Sequence, residues 1–292
     1  MAIELEKDEG KGPKPARPAT SALYQPAVAL EFFRSAGKPE SFAQGKSIFA
    51  EDERSGGIFS GGTRMYLLLE GEVELSVRKK VIGAVGKGEI FGEMASISQL
   101  PRTATATART ACSVISLDEK QFGNAIGKSP EFALMLMNII ISRLRETIAR
   151  LSGGGALSEK DRWNKATVFD RKLLEDLQRE LEDKPAAHHP MNKVIMKEGE
   201  KGMFMYVVLE GVVAVAIDGK IVEKVGPGGV FGEMALVDQS PRAATASAEE
   251  DCSLLAINPV DFLNLVKSRP AFAGSLLKAL SERLRFMTSK YK

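Results

Sequence analysis

The chain has 292 residues, enough for two domains of ordinary size, and its 40 basic and 38 acidic side chains nearly cancel, which argues against a surface for nucleic acid or anionic membrane. No apolar run is long enough to span a bilayer, and the polar segment Met1–Pro18 has no apolar core of a secretion signal. These features predict a cytoplasmic protein with no transmembrane segment.

The first feature along the chain is an internal duplication. The segment Met65–Glu146 aligns without a gap with Met205–Phe286, at an offset of 140 residues. This period is too long for a solenoid repeat, so it indicates two copies of one domain. We predict a flexible N-terminal tail over residues 1–27, domain 1 over 28–151, a linker over 152–164 and domain 2 over 165–292.

Each copy begins with short β-type runs and ends with a helical pattern. Tyr66–Val77 and Tyr206–Ile217 are rich in β-branched and aliphatic residues and are broken by a Glu-Gly turn. Pro130 and Pro270 then open long segments with apolar residues at helical spacing. A further amphipathic helix is predicted over Ser158–Asp183. The expected fold is mainly β with flanking helices (α+β): two tandem β jelly rolls, each followed by a long helix.

A cassette of chemically suggestive residues occurs once in each copy, at Phe91–Thr105 and Phe231–Thr245. Its Phe-Gly-Glu-Met-Ala start combines a glycine, which lets the backbone bend sharply and approach a ligand, with a helical turn whose free N–H groups can face an anion. The arginine that follows supplies a planar positive fork suited to a phosphodiester. The glutamate is a poor phosphate ligand but a good acceptor for a sugar hydroxyl, so the set fits a ribose 3′,5′-cyclic phosphate.

The candidate ligand-binding residues follow from this pattern. They are Phe91, Gly92, Glu93, Met94, Ala95, Arg102, Thr103 and Ala104 at site 1, and Phe231, Gly232, Glu233, Met234, Ala235, Arg242, Ala243 and Ala244 at site 2.

The spacing of these residues resembles a known family. Gly-Glu-x-Ala followed by Pro-Arg-x-Ala-Thr is similar to the phosphate-binding cassette of the cyclic-nucleotide-binding domains found in kinase regulatory subunits, nucleotide-gated channels and the catabolite activator protein. The resemblance implies that Glu93 and Glu233 bind the ribose 2′-hydroxyl, and that Arg102 and Arg242 bind the cyclic phosphate.

The two cassettes differ in ways that bear on the base. Site 1 has Ser96 and Thr103 where site 2 has Leu236 and Ala243. In related kinases a hydroxyl after the arginine goes with guanine and alanine goes with adenine, although some channels carry threonine and prefer cAMP. The expectation is cAMP at site 2 and either cAMP or cGMP at site 1.

The base also needs an apolar lid from a neighbouring helix or domain. Trp163 is the candidate lid for site 1, and Phe286 or Tyr291 for site 2.

Other chemistry is not expected. Cys112 and Cys252 occupy equivalent positions on predicted strands and are interpreted as small buried residues, and His188-His189 as solvated imidazoles. We expect no metal, no cofactor besides the nucleotide, and no catalytic site, because kinase, cyclase and phosphodiesterase motifs are missing.

The downstream effect of ligand binding is predicted to depend on a partner protein. The chain stops at Lys292, directly after the second long helix, so we expect no DNA-binding domain. Two interpretations stay open: a sensor that repositions its helices to signal to an unidentified effector protein, and a non-binding scaffold with degenerate cassettes. The apolar stripes of the long helices would serve either a homodimer or the packing of the two domains.

Overall fold

The computed structural model describes residues 25–54, 63–153, 167–184 and 186–289. In the first copy the elements are α1 (Pro26–Ala36), β1 (Lys38–Phe42), β2 (Ser47–Phe49), β3 (Arg64–Glu70), β4 (Val73–Val77), β5 (Lys80–Val85), β6 (Ile90–Phe91), α2 (Glu93–Ser98), β7 (Thr105–Ala108), β8 (Cys112–Asp118), α3 (Glu119–Ile126) and α4 (Pro130–Gly153). In the second copy they are α5 (Arg171–Glu180), β9 (Ala187–His189), β10 (Val194–Met196), β11 (Met205–Glu210), β12 (Val213–Ile217), β13 (Lys220–Val225), β14 (Val230–Phe231), α6 (Glu233–Asp238), β15 (Thr245–Ala248), β16 (Cys252–Ile257), α7 (Pro259–Ser268) and α8 (Pro270–Ser289).

Each copy contains two four-stranded antiparallel sheets. The strand orders are β1-β8-β3-β6 and β2-β7-β4-β5 in the first copy, and β9-β16-β11-β14 and β10-β15-β12-β13 in the second. Equivalent strands pair in equivalent register, since Met65 lies opposite Leu117 and Met205 lies opposite Ile257. The predicted fold of two tandem β domains with flanking helices is confirmed.

The strands follow the period-two pattern of a half-buried sheet. In β7 the side chains of Ala106 and Ala108 are buried, and those of Thr105 and Thr107, which alternate with them, are half-buried. Cys112 and Cys252, the first residues of β8 and β16, are free thiols buried in the core, as predicted.

The helix before the second copy starts later than predicted. Among the described residues of Ser158–Asp183, the helical part is α5, and the stretch from Thr167 to Asp170 is not helical. The backbone N–H groups of Val168 and Phe169 both donate to the carbonyl of Gly228, which ties this stretch to a loop of the second copy. Asp170 then caps α5, so the helix begins only after this docking.

The long helices α4 and α8 pack against each other, and each reaches the cassette of the other copy. Arg145 of α4 forms an ion pair with Asp238 and donates to the carbonyl oxygen of Pro241 at 2.9 Å. Arg285, the equivalent residue of α8, donates to the carbonyl oxygen of Pro101. The two copies are therefore joined reciprocally, with the helix of one touching the cassette of the other.

Across the described ranges, no helix combines the length and the apolar character that a membrane crossing requires.

Candidate functional site

The glycine of each cassette turns the chain from a strand into a short helix. Gly92 and Gly232 have φ angles of 74° and 81°, in the left-handed region, and precede α2 and α6. A Cβ atom at Gly92 would lie 2.8 Å from Nη1 of Arg102, and one at Gly232 equally close to Nη1 of Arg242. Both the backbone angle and the close approach of the arginine therefore require glycine.

The cassette arginines are held by neutral groups. Arg102 donates from Nη1 to the carbonyl oxygen of Gly92 at 2.8 Å and from Nη2 to that of Arg64 at 2.7 Å. Its guanidinium carbon also lies 4.0 Å from the centre of the Phe49 ring. The Nε atom of Arg102 is buried and has no hydrogen-bond partner. Burial lowers the pKa of this guanidinium, because desolvation penalises its charge.

The second cassette repeats this arrangement. Arg242 donates to the carbonyl oxygens of Gly232 and Phe204, both at 2.7 Å. Burial lowers the pKa of Arg242 as well. Each cassette thus presents a buried cation whose direct hydrogen-bond partners carry no negative charge, which is the environment that attracts an anionic ligand.

The cassette glutamates are buried and each is paired with an arginine of the long helix of its own copy. Arg143 of α4 donates to Oε1 of Glu93 at 2.5 Å. Arg283 of α8 donates to Oε1 of Glu233 at 2.6 Å. Each glutamate side chain is therefore fixed in orientation at the cassette, where its carboxyl group can accept from a sugar hydroxyl.

The predicted site residues are brought together around two cavities. Cavity 1 has a volume of about 200 Å³, and all the residues predicted for site 1 line it. Cavity 2 has a volume of about 70 Å³, and all the residues predicted for site 2 line it. Thr103 and Ala243, which follow the arginines, face cavities 1 and 2 respectively.

Several lining residues were missed by the sequence reasoning. Arg143 and Arg283 follow the cassette glutamate by 50 residues in both copies, and this identical spacing was a signal that could have found them. Glu223 on β13 and two residues of α4, Leu144 and Ile148, also line cavity 2. No local sequence pattern predicts that these three residues line the cavity, because they contact the cassette only through the packing of elements that are distant in sequence.

Only one of the three aromatic residues predicted to cover the base lies within the described residues. Trp163 and Tyr291 lie outside the described residues. Phe286 is described, but it packs partly buried against the core and is not among the residues that line cavity 2. The apolar residues of the long helices that do line this cavity are Met287 of α8 and Leu144 and Ile148 of α4.

No group of three or more metal-ligating side chains occurs in the part of the chain that the structure describes. His188 and His189 lie on β9, paired with β16. His188 is exposed, as predicted, but the interpretation of His189 as a solvated imidazole is wrong: its side chain is half-buried, and burial lowers its pKa.

A family model identifies the two repeated domains. The model of the cyclic nucleotide-binding domain matches residues 39–129 and again 187–269, more than half of the chain. The chain belongs to this family. It carries two cyclic nucleotide-binding domains in tandem, and both cassettes lie inside the matched residues.

Curated relatives of this family match part of the chain. The chain is similar to cyclic nucleotide-gated potassium channels of Rhizobium etli and Mesorhizobium japonicum, with 44% and 43% identity over 94 residues. The match covers 32% of this chain and 26% of each channel, so the chain spans about a quarter of the length of these relatives.

Two solved structures are also similar to parts of the chain. The regulatory domain of Toxoplasma gondii PKA with cAMP is 22% identical, with 90% of this chain and 89% of that one covered and a TM-score of 0.31. The catabolite activator protein of Thermus thermophilus is 33% identical, with 40% and 58% covered and a TM-score of 0.36. With TM-scores this low, these similarities add nothing to the family match.

Proposed function

We propose that this chain is a cyclic-nucleotide sensor that binds cAMP or cGMP in its two cavities and signals to another protein. The observation that carries the proposal is the environment of Arg102, whose buried guanidinium contacts two carbonyl oxygens and an aromatic ring and whose Nε lacks an acceptor. A buried cation without an anion is costly. A cyclic phosphate in cavity 1, which Arg102 lines, supplies the negative charge.

The glutamate beside each arginine supports a ribose as the sugar. Arg143 donates to Oε1 of Glu93, so this buried side chain is fixed in orientation. A ribose 2′-hydroxyl that donates to this carboxylate would replace the water lost on binding. A phosphate-binding arginine and a hydroxyl-binding glutamate, nine residues apart, favour a cyclic nucleotide over a simple anion.

The base preference proposed for the two sites differs. We propose that site 2, where Ala243 lines the cavity, binds cAMP. Site 1, where Thr103 offers a hydroxyl, is proposed to bind cAMP or cGMP. Displacement of cAMP by cGMP, measured in the unmodified chain and in the Thr103→Ala variant, tests this base preference. If cGMP fails to displace cAMP from site 1 of the unmodified chain, the guanine interpretation is wrong.

The signal is proposed to travel through the long helices. Helix α4 contacts Glu93 through Arg143 and the second cassette through Arg145, so a ligand that moves cassette 1 also acts on cassette 2. A coupling of about 1–3 kcal/mol is typical of such systems. Because α4 and α8 pack on each other within one chain, their apolar stripes favour domain packing over a homodimer. A non-catalytic role in the cytoplasm, acting on an unidentified effector, completes the proposal.

Calorimetric titration with cAMP tests the proposal against the scaffold alternative. We expect saturable heat from the full chain and a loss of site 1 heat in Arg102→Ala. Arg109→Ala is the control, because Arg109 is an exposed arginine whose ion pair with Glu72 lies away from the cavities. If no heat of binding is detected at millimolar cAMP, the scaffold alternative is supported. If the heat of binding is the same in Arg102→Ala as in the unmodified chain, Arg102 does not have the role assigned to it.

A further inference from the structure

The two sites differ at one buried position that the cassette pattern does not include. Gly83 on β5 and Glu223 on β13 are equivalent under the 140-residue offset, and their strand partners Leu75 and Val215 are equivalent too. Glu223 lines cavity 2. One site therefore has a carboxylate where the other has no side chain.

Glu223 binds the arginine of the long helix with both oxygens. Its carboxylate accepts from Nε of Arg283 at 3.1 Å and from Nη2 at 3.0 Å. Arg283 also donates to Glu233 and, at 2.6 Å, to the carbonyl oxygen of Val230. Burial alone would lower the pKa of Arg283, but the carboxylates of Glu223 and Glu233 outweigh it and raise the pKa. The arginine is therefore held as a cation between two carboxylates.

The equivalent arginine of site 1 is held far more loosely. Among the described residues, the ion pair of Arg143 is with Glu93, and its side chain is 40% exposed against 10% for Arg283. Cavity 1 does contain a second carboxylate, that of Glu89, but it accepts from the backbone N–H of Gly86 at 2.6 Å. The charge of Arg143 is therefore balanced by one carboxylate and that of Arg283 by two.

The site that contains the additional carboxylate also has the smaller cavity. Cavity 1 measures about 200 Å³ and cavity 2 about 70 Å³. The buried cluster of Glu223, Arg283 and Glu233 fixes α8 against β13, and Leu144 and Ile148 of α4 close the remaining space. A ligand of the same size must displace more protein to enter cavity 2.

We propose that Glu223 is a positioning residue that lowers the cyclic-nucleotide affinity of site 2, so that site 1 fills at lower ligand concentration than site 2. It acts through Arg283, whose charge Glu233 already balances: Glu223 adds one excess negative charge beside the cavity and holds α8 against β13. The inference rests on the proposed function, since it assumes that both cavities bind a cyclic nucleotide.

The expected change in the affinity of site 2 can be estimated from the interaction of one unit charge with the bound ligand. At the effective dielectric of partly buried sites, an uncompensated charge within several ångströms of a phosphate changes the affinity by about tenfold to a hundredfold. Removal of the negative charge from Glu223 should tighten site 2 by this factor, whereas mere damage to the fold would weaken it.

The test uses the full chain with one site disabled at a time, and cAMP as the probe. Arg102→Ala leaves site 2 to be measured, and Arg242→Ala leaves site 1. We expect site 1 to bind cAMP about tenfold or more tightly than site 2. In the Arg102→Ala background, Glu223→Gln and Glu223→Gly should tighten binding, and Glu223→Asp, which keeps the charge, should retain the low affinity.

The reciprocal variant completes the test. In the Arg242→Ala background, Gly83→Glu should weaken site 1 by a similar factor, with circular dichroism to confirm folding. Equal affinity of the two sites, or no tightening in Glu223→Gln, would overturn the inference while leaving the proposed function intact. Absence of cAMP binding from the unmodified chain would overturn both.

Discussion

Replacement of Gly92 by alanine should impair ligand binding at site 1 beyond its effect on folding. With φ at 74°, a non-glycine residue at this position costs about 1–2 kcal/mol of stability. The new Cβ would also lie 2.8 Å from Nη1 of Arg102 and 3.1 Å from the Phe49 ring, so the guanidinium must shift. Loss of one charge-assisted hydrogen bond to the ligand is worth about 1.5–3 kcal/mol, or about tenfold to a hundredfold in affinity.

A matched control separates backbone strain from displacement of the arginine. Gly45 has a φ of 79° and nothing within 4 Å of its hypothetical Cβ, so Gly45→Ala carries the strain alone. Urea unfolding should show losses of similar size in both variants, and cAMP titration should show weakened site 1 binding in Gly92→Ala only. Site 1 affinity in Gly92→Ala equal to that in Gly45→Ala would refute the reasoning.

Three further changes probe other parts of the molecule. Arg145→Ala removes the ion pair of this residue with Asp238 and its hydrogen bond to Pro241, and should lower the free energy of unfolding in urea by about 1–3 kcal/mol. Little change is expected for Arg171→Ala, whose ion pair is exposed. Asp118→Ala removes the capping box of α3 and should cost about 1 kcal/mol in the same assay; an unchanged midpoint would contradict it. Burial lowers the pKa of His189 below 6.5, so the folded state binds this proton less readily than the unfolded chain. Stability should therefore fall as pH drops through 6.5, and His189→Gln should remove that part of the slope in pH-dependent unfolding.

The local features of the site were open to prediction from sequence. Gly92, Glu93 and Arg102 lie within eleven consecutive residues, and each is needed for a reason that acts within that segment: a left-handed turn, a helix start and a buried guanidinium. The duplication was equally visible, because equivalent residues recur at a constant offset. The strands around the cassette therefore followed from pattern alone.

The contacts between distant elements were not open to prediction in this way. Glu223 meets Arg283 only because β13 and α8 pack on the same side of cavity 2, and Arg145 reaches Asp238 only because α4 crosses to the other copy. Periodicity shows which face of a helix is apolar but not which partner covers it. For the same reason the start of α5 was misplaced, since docking onto Gly228 competes with helix formation in the preceding residues.

The stoichiometry of cAMP binding tests the central claim most directly. Equilibrium dialysis of the full chain with labelled cAMP should saturate at two nucleotides per chain. The variant that carries both Arg102→Ala and Arg242→Ala should bind none while retaining the circular dichroism of the unmodified chain. No bound nucleotide in the unmodified chain, or two in the double variant, would contradict the account.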